Sequence, residues 1–232
     1  MRSSTAPTYI YVQALTERKF FLLFLFLLAT LVLYPFVENG GFGYSAFRII
    51  AGIGILIAVY AIRLRRTLLL VALLLAVPAL LERTLLRQPD AGVFSLLNMS
   101  LSFVFDAFIV VIIFRRVFTK EQPTGETIFG ALCIYLLVGF TFASIYGMVA
   151  AIQTNAFYLD PRTNLHTVPS RFDFVYYSFA TMTALGPAGI TPVSPPARSL
   201  SVIEAILGVL YLAVSIARLL SAYRHFSGPG HP

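Results

Sequence analysis

Two long apolar runs, 128–152 and 199–223, are joined by a stretch that cannot be a further membrane crossing: FDFVYYSFATMTALGPAGITP, residues 172–192. Its first part, 172–183, predicts a short helix, too short to cross roughly 30 Å of hydrocarbon. Leu185, Gly186, Pro187, Ala188 and Gly189 then force irregular backbone, because a proline has no N–H and holds φ near about −65°. At membrane depth such backbone is tolerated only where protein buries it or where it lines a watery path. A re-entrant loop bordering a pore or a buried cavity is the first expectation.

The rest of the chain agrees with a membrane setting. It has 232 residues, 58% of them hydrophobic and 12% charged, with a mean hydropathy of +0.84, and soluble domains are far more polar. The net charge of +7 does not point to nucleic acid, since the basic residues sit at the ends of apolar runs and gather on no single face. The single cysteine, Cys133, lies in an apolar run and reads as a core residue. His166, His225 and His231 fall in loops or the tail, and no HExxH or GxSxG pattern occurs, so an enzyme is not expected.

Apolar runs of spanning length lie at 20–37, 45–62, 67–86, 93–113, 128–152 and 199–223. The predicted fold is therefore all-α and integral to the membrane, with six transmembrane helices and a re-entrant helix and loop between the fifth and sixth. Most of the 17 lysines and arginines, including Arg18, Lys19, Arg63, Arg65, Arg66, Arg115, Arg116 and Lys120, then fall on the side of the termini. By the positive-inside rule both termini are cytoplasmic and the loop enters from outside. The expected organisation is a cytoplasmic segment 1–19, a four-helix bundle 20–119, a linker 120–127 in which Thr127 caps the fifth helix, a module 128–223 and a cytoplasmic tail 224–232.

The stretch from residue 172 to about 221 resembles the pore-loop module of potassium channels, in particular the bacterial branch whose filter usually reads TTLGYGDITP. Here the same place reads TALGPAGITP, and the flanks YYSFATMT and ITPVSPPARSL match without insertion. The resemblance implies a homotetramer in the plasma (inner) membrane, because one loop per chain encloses an axis only if several chains contribute. It implies a selectivity filter at Ala184, Leu185, Gly186, Pro187, Ala188 and Gly189, behind a pore helix that carries Thr181 and Thr183. The helix would aim its negative end at the axis, where a cation is favoured. No cofactor is expected beyond a permeant potassium or sodium ion, no metal centre, and no partner but the bilayer and further copies of the chain.

The filter departs from the family pattern at four places. Ala184 lacks the threonine hydroxyl that would face the innermost ion site, and Pro187 replaces an aromatic ring that braces the filter. Ala188 replaces a glycine, with a cost of roughly 1–2 kcal/mol if that position is left-handed. Gly189 replaces the acidic residue of the outer mouth. Carbonyl number, field and rigidity set selectivity, so weakly selective and non-conducting homologues remain alternatives to a potassium-selective pore.

Four further residues of the last helix are candidates. Glu204 is expected behind the filter, bonded to Thr181 or Thr183, or else paired with Arg198. Gly208 stands where the family often has a hinge, although close packing is a second explanation. Leu212 and Ile216 follow at helical spacing and are candidates for an inner gate that closes by dewetting. In the front half, the run 93–113 contains no arginine and cannot be a voltage sensor built on regularly spaced arginines. Its Asp106 is expected either to serve a proton or ion site, the basis of a transporter alternative, or to bond Arg48, Asn98, Ser100 or Ser102. A transporter of repeated halves would carry an internal repeat, and none is found.

Overall fold

The computed structural model describes residues 19–38, 93–119, 125–164, 167–186 and 189–226. The expected second and third spans, 45–62 and 67–86, lie outside these residues, as do Arg48, Pro187 and Ala188. Among the described residues the chain forms five helices and one short ribbon: α1 Lys19–Glu38, α2 Val93–Phe118, α3 Gly125–Ile152, β1 Phe157–Leu159, α4 Arg171–Met182, β2 Ile190–Pro192 and α5 Pro195–Phe226. Of these, α3 and the stretch of α5 from Pro195 to Arg218 are long and apolar enough to cross a membrane.

Two packed clusters hold the helices together. In the first, Phe105, Ile109, Ile113 and Val117 recur every fourth residue along α2, so they form one stripe. That stripe packs with Phe20, Leu23 and Leu27 of α1 and with Cys133, Ile134 and Leu137 of α3. Cys133 is therefore a core residue, as expected. The N-terminus of α1 is held from α3, where Glu126 Oε2 accepts from the Phe20 N–H at 2.9 Å, a carboxylate placed against the positive end of a helix.

The second cluster joins α3, the ribbon and α4 through edge-to-face rings. Tyr146 stands against Tyr177 at 4.9 Å between centroids and 83°, and Phe157 of β1 meets Phe174 of α4 at 5.2 Å. Such pairs stabilise beyond their buried area, by about 0.5–1.5 kcal/mol each. They set α4 against the C-terminal half of α3.

Three features correct the expectations. The helical fold also carries a short ribbon that was not expected: β1 and β2 pair antiparallel, with Phe157 opposite Pro192, Tyr158 opposite Thr191 and Leu159 opposite Ile190. Three-residue strands are below the length at which alternation shows in a sequence. Thr127 does not cap α3, because the helix already includes Gly125 and Thr127 is buried in its first turn. Finally α5 starts at Pro195, ahead of residue 199, since proline suits the first helical position. Ser194 Oγ accepts from the Ala197 N–H there.

Candidate functional site

The short helix α4 has twelve residues, or about 18 Å at 1.5 Å per residue. It starts one residue before the expected 172, because Ser170 and Asp173 form a capping box. Ser170 N–H donates to Asp173 Oδ2 at 2.7 Å and Asp173 N–H to Ser170 Oγ at 3.3 Å. Two N–H groups that would otherwise lack partners are satisfied reciprocally.

At its other end the chain turns back on the helix. The N–H groups of Thr183, Ala184 and Gly186 donate to the carbonyls of Phe179, Thr181 and Ala180, which leaves residues 183–186 exposed, Leu185 by 76%. The turn carries two left-handed residues, Ala184 at φ 58° and Gly186 at φ 82°. Among the described residues of this turn, Ala184 is the left-handed one with a side chain, while Ala188, where the sequence placed such a cost, lies outside the described residues. Thr183 donates its hydroxyl to Phe179 O at 2.7 Å, and Thr181 Oγ1 is buried without a hydrogen-bond partner among the described residues.

Behind this turn lies a buried polar cluster that draws on all three helices. Glu204 of α5 is fully buried. Its Oε2 accepts from Tyr146 Oη of α3 at 2.5 Å, and its Oε1 accepts from Ser178 Oγ of α4. Ser178 Oγ also reaches the Gly139 carbonyl of α3 at 2.7 Å, and Tyr177 Oη meets Ser201 Oγ of α5 at 2.5 Å. Glu204 therefore packs against α3 and α4, with partners other than those expected from the sequence. Thr181 and Thr183 do not hold it, and Arg198 does not pair with it but gives its Nε–H to the Pro192 carbonyl at 3.1 Å. A buried carboxyl is costly unless its lone pairs are satisfied, and here each oxygen has a hydroxyl.

Gly208 is a close-approach residue. A Cβ built on it would come within 2.5 Å of the Met182 carbonyl oxygen, at the end of α4. The helix continues through it without a break, so packing explains this glycine. Leu212 and Ile216 follow at intervals of four, on the same face as Gly208, and are 43% and 56% exposed. They extend the face of α5 that meets the end of α4.

On the opposite side of the turn, Gly189 has φ 86° and its carbonyl accepts from the Asp160 N–H at 2.8 Å and from Asn164 Nδ2 at 2.7 Å. Asn164 was not singled out from the sequence, because it belongs to a polar loop with no regular period. Asp106 lies half-buried in α2, and Ser100, a partner considered for it, gives its hydroxyl to Leu96 O at 2.8 Å. No group of three or more His, Cys, Asp or Glu side chains able to hold a metal ion occurs among the described residues.

No curated protein and no solved structure matches the chain. Residues 130–225, which take in nearly all of α3, the ribbon, α4 and α5, match the family model described as an ion channel, and this supports placing the membrane protein among ion channels.

Proposed function

We propose that the chain is one subunit of a homotetrameric, potassium-channel-like pore that conducts monovalent cations across the plasma (inner) membrane. In this reading the six spans bring both termini to the cytoplasm, residues 20–119 form a front bundle, and 128–223 form the pore module. The helix α4 re-enters from outside, residues 184–189 line the narrow path, and Leu212 and Ile216 narrow its inner end. The permeant potassium or sodium ion is the only ligand required.

The observation that carries this reading is the exposed turn 183–186 at the C-terminal end of α4. The N–H groups of Thr183, Ala184 and Gly186 are spent on the helix, and that helix end carries partial negative charge. Such an end facing an axis favours a cation. The voltage-insensitive character of the front half is supported by α2, whose arginines, Arg115 and Arg116, stand in its last turn.

Purified protein in liposomes tests the reading through flux of potassium, sodium and a large organic cation. Potassium flux above sodium flux is the expected result. Equal flux of both would mean an unselective pore. Absence of any flux would remove conduction and favour a non-conducting channel homologue, and the carboxyl of Asp106 would then be tested by Asp106→Asn in a proton-coupled uptake assay.

A further inference from the structure

The outer end of the candidate filter is held by a loop of the polar stretch 153–171, which the channel resemblance makes an outer turret. Following β1, the loop 160–164 folds over Gly189. Asn164 Nδ2 lies 2.7 Å from Gly189 O, 3.0 Å from Asp160 O and 3.2 Å from Thr163 Oγ1. The two closest acceptors are backbone carbonyls, so the amide is oriented with its NH₂ toward them. Together with the Asp160 N–H at 2.8 Å, it takes both lone pairs of the Gly189 carbonyl. That carbonyl is therefore spent on the loop.

The residue at 189 is constrained as tightly as the loop. A Cβ there would run into Thr163 Oγ1 and come within 2.9 Å of Asn164 Nδ2, and φ 86° is a conformation that side chains rarely adopt. The acidic residue that the potassium-channel pattern has at this place does not fit.

We infer that residues 160–164 form an outer clamp in which Asn164 is a positioning residue: it fixes where the loop 183–190 ends and so controls ion discrimination in the pore. The second half of this inference rests on the pore reading, while the first does not.

Hydrogen exchange and flux, measured on the same full-length preparations, test the clamp and the pore separately. The proteins are wild type, Asn164→Ala, Asn164→Asp, which sets a carboxylate oxygen against two carbonyls, and Arg162→Ala as a control whose side chain takes no part in the clamp. Only preparations that remain monodisperse are compared. In both Asn164 variants, amide exchange over 157–160 and 183–190 is expected to rise about threefold to tenfold, the range that loss of one net hydrogen bond produces, with α3 unchanged. In liposomes the potassium-to-sodium flux ratio is expected to fall in the order wild type, Asn164→Ala, Asn164→Asp, with Arg162→Ala like wild type. Faster exchange with no flux in wild type would leave the clamp standing and remove the pore reading. Flux in wild type with exchange and ratio unchanged in both Asn164 variants would overturn the clamp and leave the pore. Faster exchange with an unchanged ratio would overturn the control of discrimination.

Discussion

Tyr146 Oη donates to Glu204 Oε2 over 2.5 Å inside a site with no solvent access, and this bond ties α3 to α5 at the level of α4. The same carboxyl takes the Ser178 hydroxyl from α4, so one side chain joins three helices. Tyr146→Phe leaves Oε2 unpartnered, and a buried acceptor stripped of its donor costs about 1–3 kcal/mol. Glu204→Leu should cost more than Glu204→Gln, because the amide still accepts from Tyr146. Thermal unfolding of the purified variants reads the order. Equal loss in Leu and Gln, or an additive double mutant of Tyr146→Phe with Glu204→Leu, would show that the two groups are not coupled.

Gly208 and Met182 set how closely α5 approaches the end of α4. Gly208→Ala puts a methyl group 2.5 Å from a carbonyl oxygen that backbone geometry holds in place, and overpacking of this kind costs about 1–3 kcal/mol. Gly125→Ala is the contrast, since nothing lies within 4 Å of a Cβ there. A lower melting temperature for Gly208→Ala and none for Gly125→Ala is the expected pair. If both behave alike, the approach at Met182 is not a constraint.

Ala184 carries the left-handed strain of the turn at φ 58°. Ala184→Gly removes the clash between Cβ and carbonyl and should stabilise by about 1 kcal/mol. Ala184→Val, β-branched at the same φ, should destabilise. The outcome that sinks this assignment is a lower melting temperature in the glycine variant than in the valine variant. A variant rebuilt toward the potassium-channel pattern should accordingly leave Ala184 and Gly189 alone, since threonine at 184 would be β-branched at this φ and the loop 160–164 closes over Gly189.

Ser170→Ala removes one side of the capping box at the start of α4. The expected loss is about 1 kcal/mol, seen as faster amide exchange in the first turn of α4 while α5 is unaffected. Asp173→Ala should do nearly the same, and the double variant little more than either, because the two bonds are reciprocal. Summed losses in the double variant would argue that the two side chains act separately.

Much of the helical framework is legible in the sequence because its cause is local. Transfer of apolar side chains out of water is summed along the chain, so the expected runs at 20–37, 93–113 and 128–152 fall within α1, α2 and α3. The glycines and proline after residue 183 announce irregular backbone for the same reason, that each residue limits its own φ and ψ. The proline pair at 195–196 was passed over only because the apolar run begins later, although proline is at home in a first turn.

Partnerships are another matter, since they depend on which distant groups the packing brings within 3 Å. Glu204 was recognisable as a buried carboxyl, but Thr181, Thr183 and Arg198 were as near in sequence as Ser178, and Tyr146 is 58 positions away. The ribbon arises because Phe157 packs into the aromatic cluster on α4, which brings Leu159 alongside Ile190, and no three-residue strand signals that in advance. The closure of Asn164 over Gly189 spans 25 positions and follows from that ribbon. The sequence by itself thus determined which segments are apolar helices, where the backbone breaks and which carboxyl is buried. Tertiary structure alone decided which hydroxyls satisfy that carboxyl, which residue bears the left-handed strain and which loop closes the outer end, because hydrogen bonds and close approach are set by distances between groups remote in the chain.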